Sequence, residues 1–305
     1  MRRRIVFSNP WKLLCIWVMA IAMLPCSVFP QEPGQKDLLW AAYRERSDSL
    51  SCLFFENWAK EFPPNETAVT NDTIREAYEV YRSFYATTFS ENLKDERIAS
   101  VYQDQPFVVV QGTLQKVCVE ETIPYTPQEC DSFLVEQIRR YFPEEHWEMM
   151  VDRIRSDDSY FPRHTKSIDR FLQVPSITVD SAIDFRPALR YDNKEVLYLT
   201  KGYGDLLRSF VGEQETYRHE PPSSYDVKWR RRKVAFLNRM IPVLEYHKDA
   251  NWRYLPGPYV HEIVLDSHLQ RAVVVYSGLY AGFQTIMEKQ NGEWVVLDTQ
   301  GLWQE

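Results

Sequence analysis

Four residues whose side chains could share a metal ion or a proton lie close together near the C-terminal end: His261, Glu262, Asp266 and His268. Histidine nitrogens and carboxylate oxygens are common zinc ligands, and they also act as general acids and bases. The segment that carries them alternates like a β-strand, in which successive side chains point to opposite faces. His261 is therefore expected on the opposite face from the other three, and the sequence predicts no metal site there.

The common catalytic and cofactor motifs are absent from the sequence. It contains no HExxH or CxxC zinc motif and no GxSxG nucleophile elbow, and Gly202 and Gly204 do not belong to a phosphate-binding loop. These absences favour a protein that is not an enzyme and that needs no cofactor. An active site without a known motif is the alternative.

Aromatic residues near the C-terminus form a second candidate site. Small-molecule pockets combine aromatic walls with a few polar groups. Rings at the edge of a sheet also cap hydrophobic cores, which is the simpler interpretation. The candidate ligand-binding residues are Trp252, Tyr254, Tyr259, His261, Tyr280 and Trp303.

Three cysteines follow the N-terminal segment. Cys118 and Cys130 are close enough in sequence for a disulfide, which would constrain the unfolded chain in an oxidising compartment. The alternative is that both are small buried hydrophobic residues. Cys52 has no obvious histidine partner and is expected to be buried.

The N-terminus has the pattern of a secretory signal peptide over residues 1–30. Arg2, Arg3 and Arg4 precede an uninterrupted apolar run at 13–24. The run is shorter than the ~20 residues that a spanning helix needs, so no transmembrane span is expected in the mature chain. Cys26 is a lipidation candidate and would supply a lipid anchor, although the proline before it departs from the lipobox pattern. We expect an exported protein that is periplasmic, at the cell surface or extracellular.

The net charge of −7 argues against nucleic acid as a partner, because a nucleic-acid-binding surface needs an excess of basic residues. The basic run at 230–233 is typical of the solvated face of a helix. The partners expected instead are an unidentified small molecule, a glycan or another protein.

Helical periodicity dominates the first half of the mature chain. It predicts one helix over 37–62 and another capped by Asn71, whose tyrosine-rich stripe faces a core or lines a pocket. Gly112 is expected to turn a small β-hairpin over 107–120. A capping box begins a further helix after Thr126.

The C-terminal residues 259–303 read as an antiparallel β-meander. Its long middle strand contains Gly278 and Gly282, which are expected to bend it. An Asn-Gly dipeptide at 291–292 predicts a two-residue turn. That turn sets the expected pairs, which are Lys289 with Trp294, Met287 with Val296 and Ile286 with Leu297.

These elements predict an α+β fold: a helical N-terminal half with a small hairpin, then a curved antiparallel meander packed on a long helix over 227–248. By analogy it resembles the cystatin-like and nuclear-transport-factor-2-like (NTF2-like) cone folds. The expected regions are 31–175, mainly helical, and 190–305, with the C-terminal sheet. The alternative is one compact unit over 31–305.

Several segments are similar to an uncharacterised family of secreted proteins from Gram-negative gut bacteria. They are FFENWAKEF, NDTIREAYEVY, YLTKGYGDLLRSF, FLNRMIPVLEYHKDANWRY, an A-x-V-x-Y strand at 272–276 and NGEWVVLDTQGLW. The resemblance implies export and a single architecture. It implies no activity and no site residues.

The function expected from these observations is that of an exported, non-enzymatic binding or interaction protein. One alternative is a hydrolase or isomerase with an unrecognised pocket in the C-terminal sheet. Another is a carbohydrate-binding module that uses exposed aromatic rings.

Overall fold

The computed structural model describes residues 34–92, 102, 105–155, 177–191, 193–212, 224–246, 251–255, 257–278 and 281–304. The predicted signal peptide, Cys26 and Tyr280 lie outside these residues. The side chains of Cys130 and Trp303 also lie outside the description, whereas their backbones belong to a helix and a strand.

The chain has the predicted α+β class. Its α-helices in the described residues are α1 (Gln35–Glu45), α2 (Asp48–Glu61), α3 (Asp72–Asn92), α4 (Pro127–Tyr141), α5 (Trp147–Arg155), α6 (Lys201–Val211) and α7 (Ser224–Leu237). The single helix predicted over 37–62 is two helices. Arg46 adopts a left-handed conformation with φ of 52° and ends α1, and the Ser47 hydroxyl accepts a hydrogen bond from Leu50 N to begin α2.

Two helices begin where their capping residues predict. Asn71 Oδ1 accepts from Ile74 N at 3.1 Å at the start of α3. At the start of α4, Thr126 Oγ1 accepts from Glu129 N, and the Glu129 carboxylate accepts from Thr126 N in return. These caps satisfy amides that have no partner inside the helix.

The prediction of one long helix over 227–248 is wrong in the length of the helix and in where it packs. α7 ends at Leu237, five residues before Pro242, which cannot donate to a helical hydrogen bond. Asn238 Oδ1 accepts from Val243 N at 2.7 Å and turns the chain into a short strand. α7 packs with α6 rather than on the C-terminal sheet.

The strands are β1 (Phe107–Gln111), β2 (Thr113–Glu120), β3 (Ile177–Asp184), β4 (Glu195–Leu199), β5 (Leu244–Tyr246), β6 (Asn251–Arg253), β7 (Tyr259–Asp266), β8 (Arg271–Ser277), β9 (Ala281–Gln290) and β10 (Glu293–Gln304). The largest sheet has the order β10-β9-β8-β7-β2-β3. Its pairs are antiparallel except β2 with β7, which run parallel. β1 pairs with β4, and β5 pairs with β6.

The hairpin predicted over 107–120 is not formed, because β1 and β2 join different sheets. Gly112 lies between them, where its N–H donates to Leu199 O and its carbonyl accepts from Phe185 N. A Cβ on Gly112 would lie 3.2 Å from Leu199 O, so glycine suits this close approach. The β1–β4 sheet and the six-stranded sheet each contain strands from both of the regions expected from the sequence, 31–175 and 190–305.

The C-terminal meander has four strands, and its long predicted middle strand is two. The chain turns after Ser277, and Gly278 N–H donates to Ala281 O at 2.8 Å. The Asn291–Gly292 turn pairs Trp294 with Lys289 as expected. A bulge after Val296 then places Asp298, rather than Leu297, opposite Ile286.

The helix that covers the meander is α3. Its buried stripe packs on one face of the six-stranded sheet, called here the inner face, with residues that include Tyr81, Phe84, Val260, Ile263, Val274 and Met287. A second core joins α1, α2, α6 and α7 to β1 and β4. The outer face of the sheet carries a smaller apolar cluster that contains Cys118, Ile123 and Val264.

Candidate functional site

Of the residues predicted to bind a ligand, the four whose side chains the structure describes do not form one site. Trp252 and Tyr254 are buried in the core that joins the helices to β1 and β4. Tyr259 and His261 lie half-buried on the sheet, with their rings edge to face at 4.9 Å. Tyr280 and the side chain of Trp303 lie outside the described residues. The inner face of the sheet, where a pocket was the alternative expectation, is filled by α3.

The structure instead has an open cavity of about 460 Å³ between α3, the short helix Glu66–Ala68 and the extended segment 188–191. This volume lies in the range of small-molecule sites. The residues that line it are Glu66, Arg82, Tyr85, Ala86, Ala188, Leu189, Arg190 and Tyr191.

The two arginines of the cavity differ in their partners. Arg82 bonds to the carboxylates of Glu66 and Glu79, so its charge is compensated. Glu66 also accepts from Ala188 N at 3.3 Å and thereby holds the 188–191 segment against α3. Arg190 is exposed, and no carboxylate of the described residues pairs with it. Arg190 is therefore the cation in the lining that is available to a ligand.

Two tyrosines form the apolar wall of the cavity. The rings of Tyr85 and Tyr191 meet edge to face at 6.1 Å. Burial raises the pKa of both hydroxyls, which therefore stay neutral at physiological pH. A Cβ on Gly257 would overlap the Tyr85 hydroxyl, so glycine is required there for the ring to keep its position.

A polar row lies on the outer face of the sheet and contains Gln115, Lys116, Tyr259, His261, Glu262 and Ser277. The prediction that His261 and Glu262 occupy opposite faces is wrong. β7 has a bulge between Val260 and Glu262, which leaves His261 as an extra residue without a partner on β8. The bulge brings both side chains to the outer face.

One end of the row is a cluster of a thiol, a carboxylate and an amine. Cys118 Sγ donates to Glu262 Oε1 at 3.2 Å, and Lys116 Nζ lies 3.4 Å from the same oxygen. Burial, together with Glu262, raises the pKa of the Cys118 thiol, which makes it a poor nucleophile. Cys118 is a free thiol in the structure, and the side chain of Cys130, its candidate disulfide partner, lies outside the described residues.

The other end of the row is a hydrogen-bonded histidine and serine, with His261 Nε2 3.0 Å from Ser277 Oγ. Gln115 Nε2 donates to the Tyr259 hydroxyl beside them at 3.4 Å. Burial lowers the pKa of His261, so the imidazole is neutral at pH 7.

The remaining members of the acid–base set have separate positions. Asp266 accepts from Gln270 N and Arg271 N and closes the turn between β7 and β8, in which His268 is exposed. In the described residues no group of three or more His, Cys, Asp or Glu side chains could hold a metal ion. No helix in this part of the chain is long and apolar enough to cross a membrane.

The cavity escaped prediction because its residues come from three distant segments. The one sequence feature that pointed to the cavity is the tyrosine-rich stripe of α3, which contains Tyr85. Arg82 and Arg190 have no spacing that links them in the sequence.

The chain was also compared with known proteins. No family model, no curated protein and no solved structure matches it. The resemblance to secreted proteins of gut bacteria therefore stays a prediction, and what the chain does has to be argued from its own residues.

Proposed function

We propose that this is an exported binding protein whose cavity between α3 and the 188–191 segment holds a small organic acid with a flat ring. The observation that carries this proposal is the combination, in one cavity of about 460 Å³, of an aromatic wall and an arginine that no carboxylate of the described residues pairs with. The basic and apolar N-terminal residues 1–30 support export.

The charge of the cavity supports an acidic ligand. Two arginines and one glutamate line it, and Arg82 is already engaged by Glu66 and Glu79. A carboxylate that approaches Arg190 gains a charge-assisted hydrogen bond without displacing an internal partner. A cationic ligand would meet Arg190, and the one carboxylate among the described lining residues, Glu66, is already paired with Arg82.

The tyrosines and small residues support a flat apolar part in the same ligand. Tyr191, which is half-buried, supplies ring surface and is backed by the buried ring of Tyr85, while Ala86 and Ala188 leave space that larger side chains would fill. A sugar-binding platform has less support, because Trp252 and Trp294 are buried and offer no exposed ring.

Calorimetric titration with indole-3-acetate and benzoate tests the proposal, with the matching amides as neutral controls. We expect the acids to bind more tightly than the amides. Arg190→Gln should weaken acid binding by about 10- to 100-fold, since a hydrogen bond to a charged group contributes roughly 1.5–3 kcal/mol. Arg44→Gln, at an exposed arginine on α1, should leave binding unchanged.

A second variant tests the location. Ala86→Trp should fill the cavity and abolish binding, whereas Ala235→Trp, at an exposed alanine of α7, should not. Binding that survives in Ala86→Trp would place the site elsewhere. Failure of both acids to bind at millimolar concentration would overturn the ligand class.

A further inference from the structure

The His261 and Ser277 pair on the outer face is independent of the cavity, which lies on the α3 side of the sheet. The β7 bulge creates the pair. Val260 is opposite Tyr276 and Glu262 is opposite Val275, so the extra residue His261 is turned toward the end of β8. Bulges are over-represented beside active sites because they redirect one side chain.

The protonation state of the pair suits proton transfer from the hydroxyl to the ring. Because burial lowers the pKa of His261, its imidazole is neutral and can accept a proton at pH 7. With the ring proton on Nδ1, the Ser277 hydroxyl donates to Nε2 across 3.0 Å. Tyr259 packs edge to face against the imidazole and restricts its orientation.

The other nucleophiles of the polar row are held in unreactive states. The Cys118 thiol is buried and donates to Glu262, and the Lys116 ammonium is paired with the same carboxylate. Ser277 is half-buried and has a neutral base within hydrogen-bonding distance. Within this row, it is the nucleophile with an activating partner.

We propose that Ser277 accepts an acyl group from activated esters, with His261 as its general base. The Ser277 Oγ forms a bond to the acyl carbon and the bond from that carbon to the leaving oxygen breaks. The hydroxyl proton passes to His261 Nε2 and then to the leaving alcohol. His261 then takes a proton from water, and the water oxygen bonds to the acyl carbon. The bond from that carbon to Ser277 Oγ breaks and the proton returns to Oγ, so ester and water become acid and alcohol with no redox change.

The neighbouring backbone limits the substrate class. Gly278 N–H, the amide that follows Ser277, already donates to Ala281 O at 2.8 Å and does not point at a developing oxyanion. Without that stabilisation, esters with good leaving groups are the expected substrates and amides are not. An aryl ester is therefore the appropriate probe.

The test is reaction of the full mature chain with p-nitrophenyl acetate, followed by release of p-nitrophenolate and by peptide mass spectrometry. We expect one acetyl group at Ser277 and its loss in Ser277→Ala. His261→Gln should slow acylation by about 10²–10⁴-fold. Ser267→Ala is the control, because its exposed hydroxyl donates to Glu121 O and has no histidine partner.

The pH dependence separates a base from a residue that only positions the serine. Acylation of the wild type should increase with pH through a pKa below 6.5 and then level off. Circular dichroism and melting temperature establish that each variant is folded. Should Ser277→Ala unfold, Ser277→Cys replaces it and should gain rapid alkylation by iodoacetamide at that position. Acetylation on lysine or tyrosine alone, or an unchanged rate in folded His261→Gln, would overturn the proposal.

Discussion

Replacing Gln111 with leucine should destabilise the protein by about 2–4 kcal/mol. Gln111 is 1% exposed, and its side chain supplies the hydrogen bonds that a neighbouring strand would otherwise give to Val260. Nε2 donates to Val260 O and Thr113 O, both at 2.9 Å, and Oε1 accepts from Val260 N at 2.6 Å. Gln111 thus joins the β1–β2 bend to the first residues of β7.

The magnitude follows from the groups that lose their partners. Leucine leaves the amide and carbonyl of Val260 buried without the glutamine, and an unsatisfied buried group costs about 1–3 kcal/mol. The added apolar surface of leucine offsets roughly 1 kcal/mol of that cost. Gln111→Glu should be at least as harmful, because a carboxylate cannot donate to the two carbonyls.

Urea unfolding followed by tryptophan fluorescence and circular dichroism measures this free energy. Gln115→Leu is the matched control, because Gln115 is exposed and makes one long bond to Tyr259; it should change stability by less than about 0.5 kcal/mol. If the free energy of unfolding of Gln111→Leu lies within 0.5 kcal/mol of that of the wild type, the inference that Gln111 completes the sheet is refuted.

Three further predictions concern charged groups. Partial burial alone would raise the pKa of Glu129, but its hydrogen bonds, chiefly from Arg271, hold it at about 2. Its stabilisation is complete above pH 4.5 and is lost as pH falls toward 2. Because the side chain is 41% exposed, Glu129→Gln should remove only about 1 kcal/mol of that acid dependence, measured by unfolding at pH 6 and pH 3. Burial lowers the pKa of Lys233 from 10.5 to about 8, so the unfolded chain binds more protons between these values. The free energy of unfolding of the wild type should therefore rise by on the order of 2–3 kcal/mol from pH 8 to 10.5, relative to that of Lys233→Met measured in parallel. The same pH dependence in both proteins would contradict this prediction. Glu76 accepts from Lys289 at 2.7 Å and from the Trp294 indole at 2.9 Å, so Glu76→Gln should cost about 1–2 kcal/mol in urea unfolding, and no loss would show that the contact is dispensable.

Features set by neighbouring residues could be predicted from the sequence. The capping box at Thr126 and the Asn71 cap work within one helical turn, and the Asn291–Gly292 turn requires only local backbone conformations. The α+β class follows from the same local periodicities. These interactions do not depend on where the rest of the chain goes.

Features set by contacts between residues far apart in the chain could not be predicted from the sequence. The valine-rich β1 reads as one arm of a hairpin, yet its partner is β4, which lies far along the chain. The bulges beside His261 and Leu297 shift by one residue the alternation of side chains between the two faces of the sheet. No residue type at either position indicates a bulge. The cavity needs α3, Glu66 and Arg190 to converge, which only the folded core accomplishes.

The parallel pairing of β2 with β7 governs the order in which the chain can fold. Cys118 and Glu262, on these adjacent strands, are separated by 144 residues, so their contact closes a long loop at an entropic cost. The four strands β7 to β10 are joined by short turns and can nucleate together. β2 then docks late, and until it does, its edge toward β7 is an unpaired template for aggregation, whereas its other edge can already pair with β3. In a protein made from its N-terminus, the edge of β2 that pairs with β7 stays unpaired until β7 is synthesised, which favours a holding chaperone for the nascent chain.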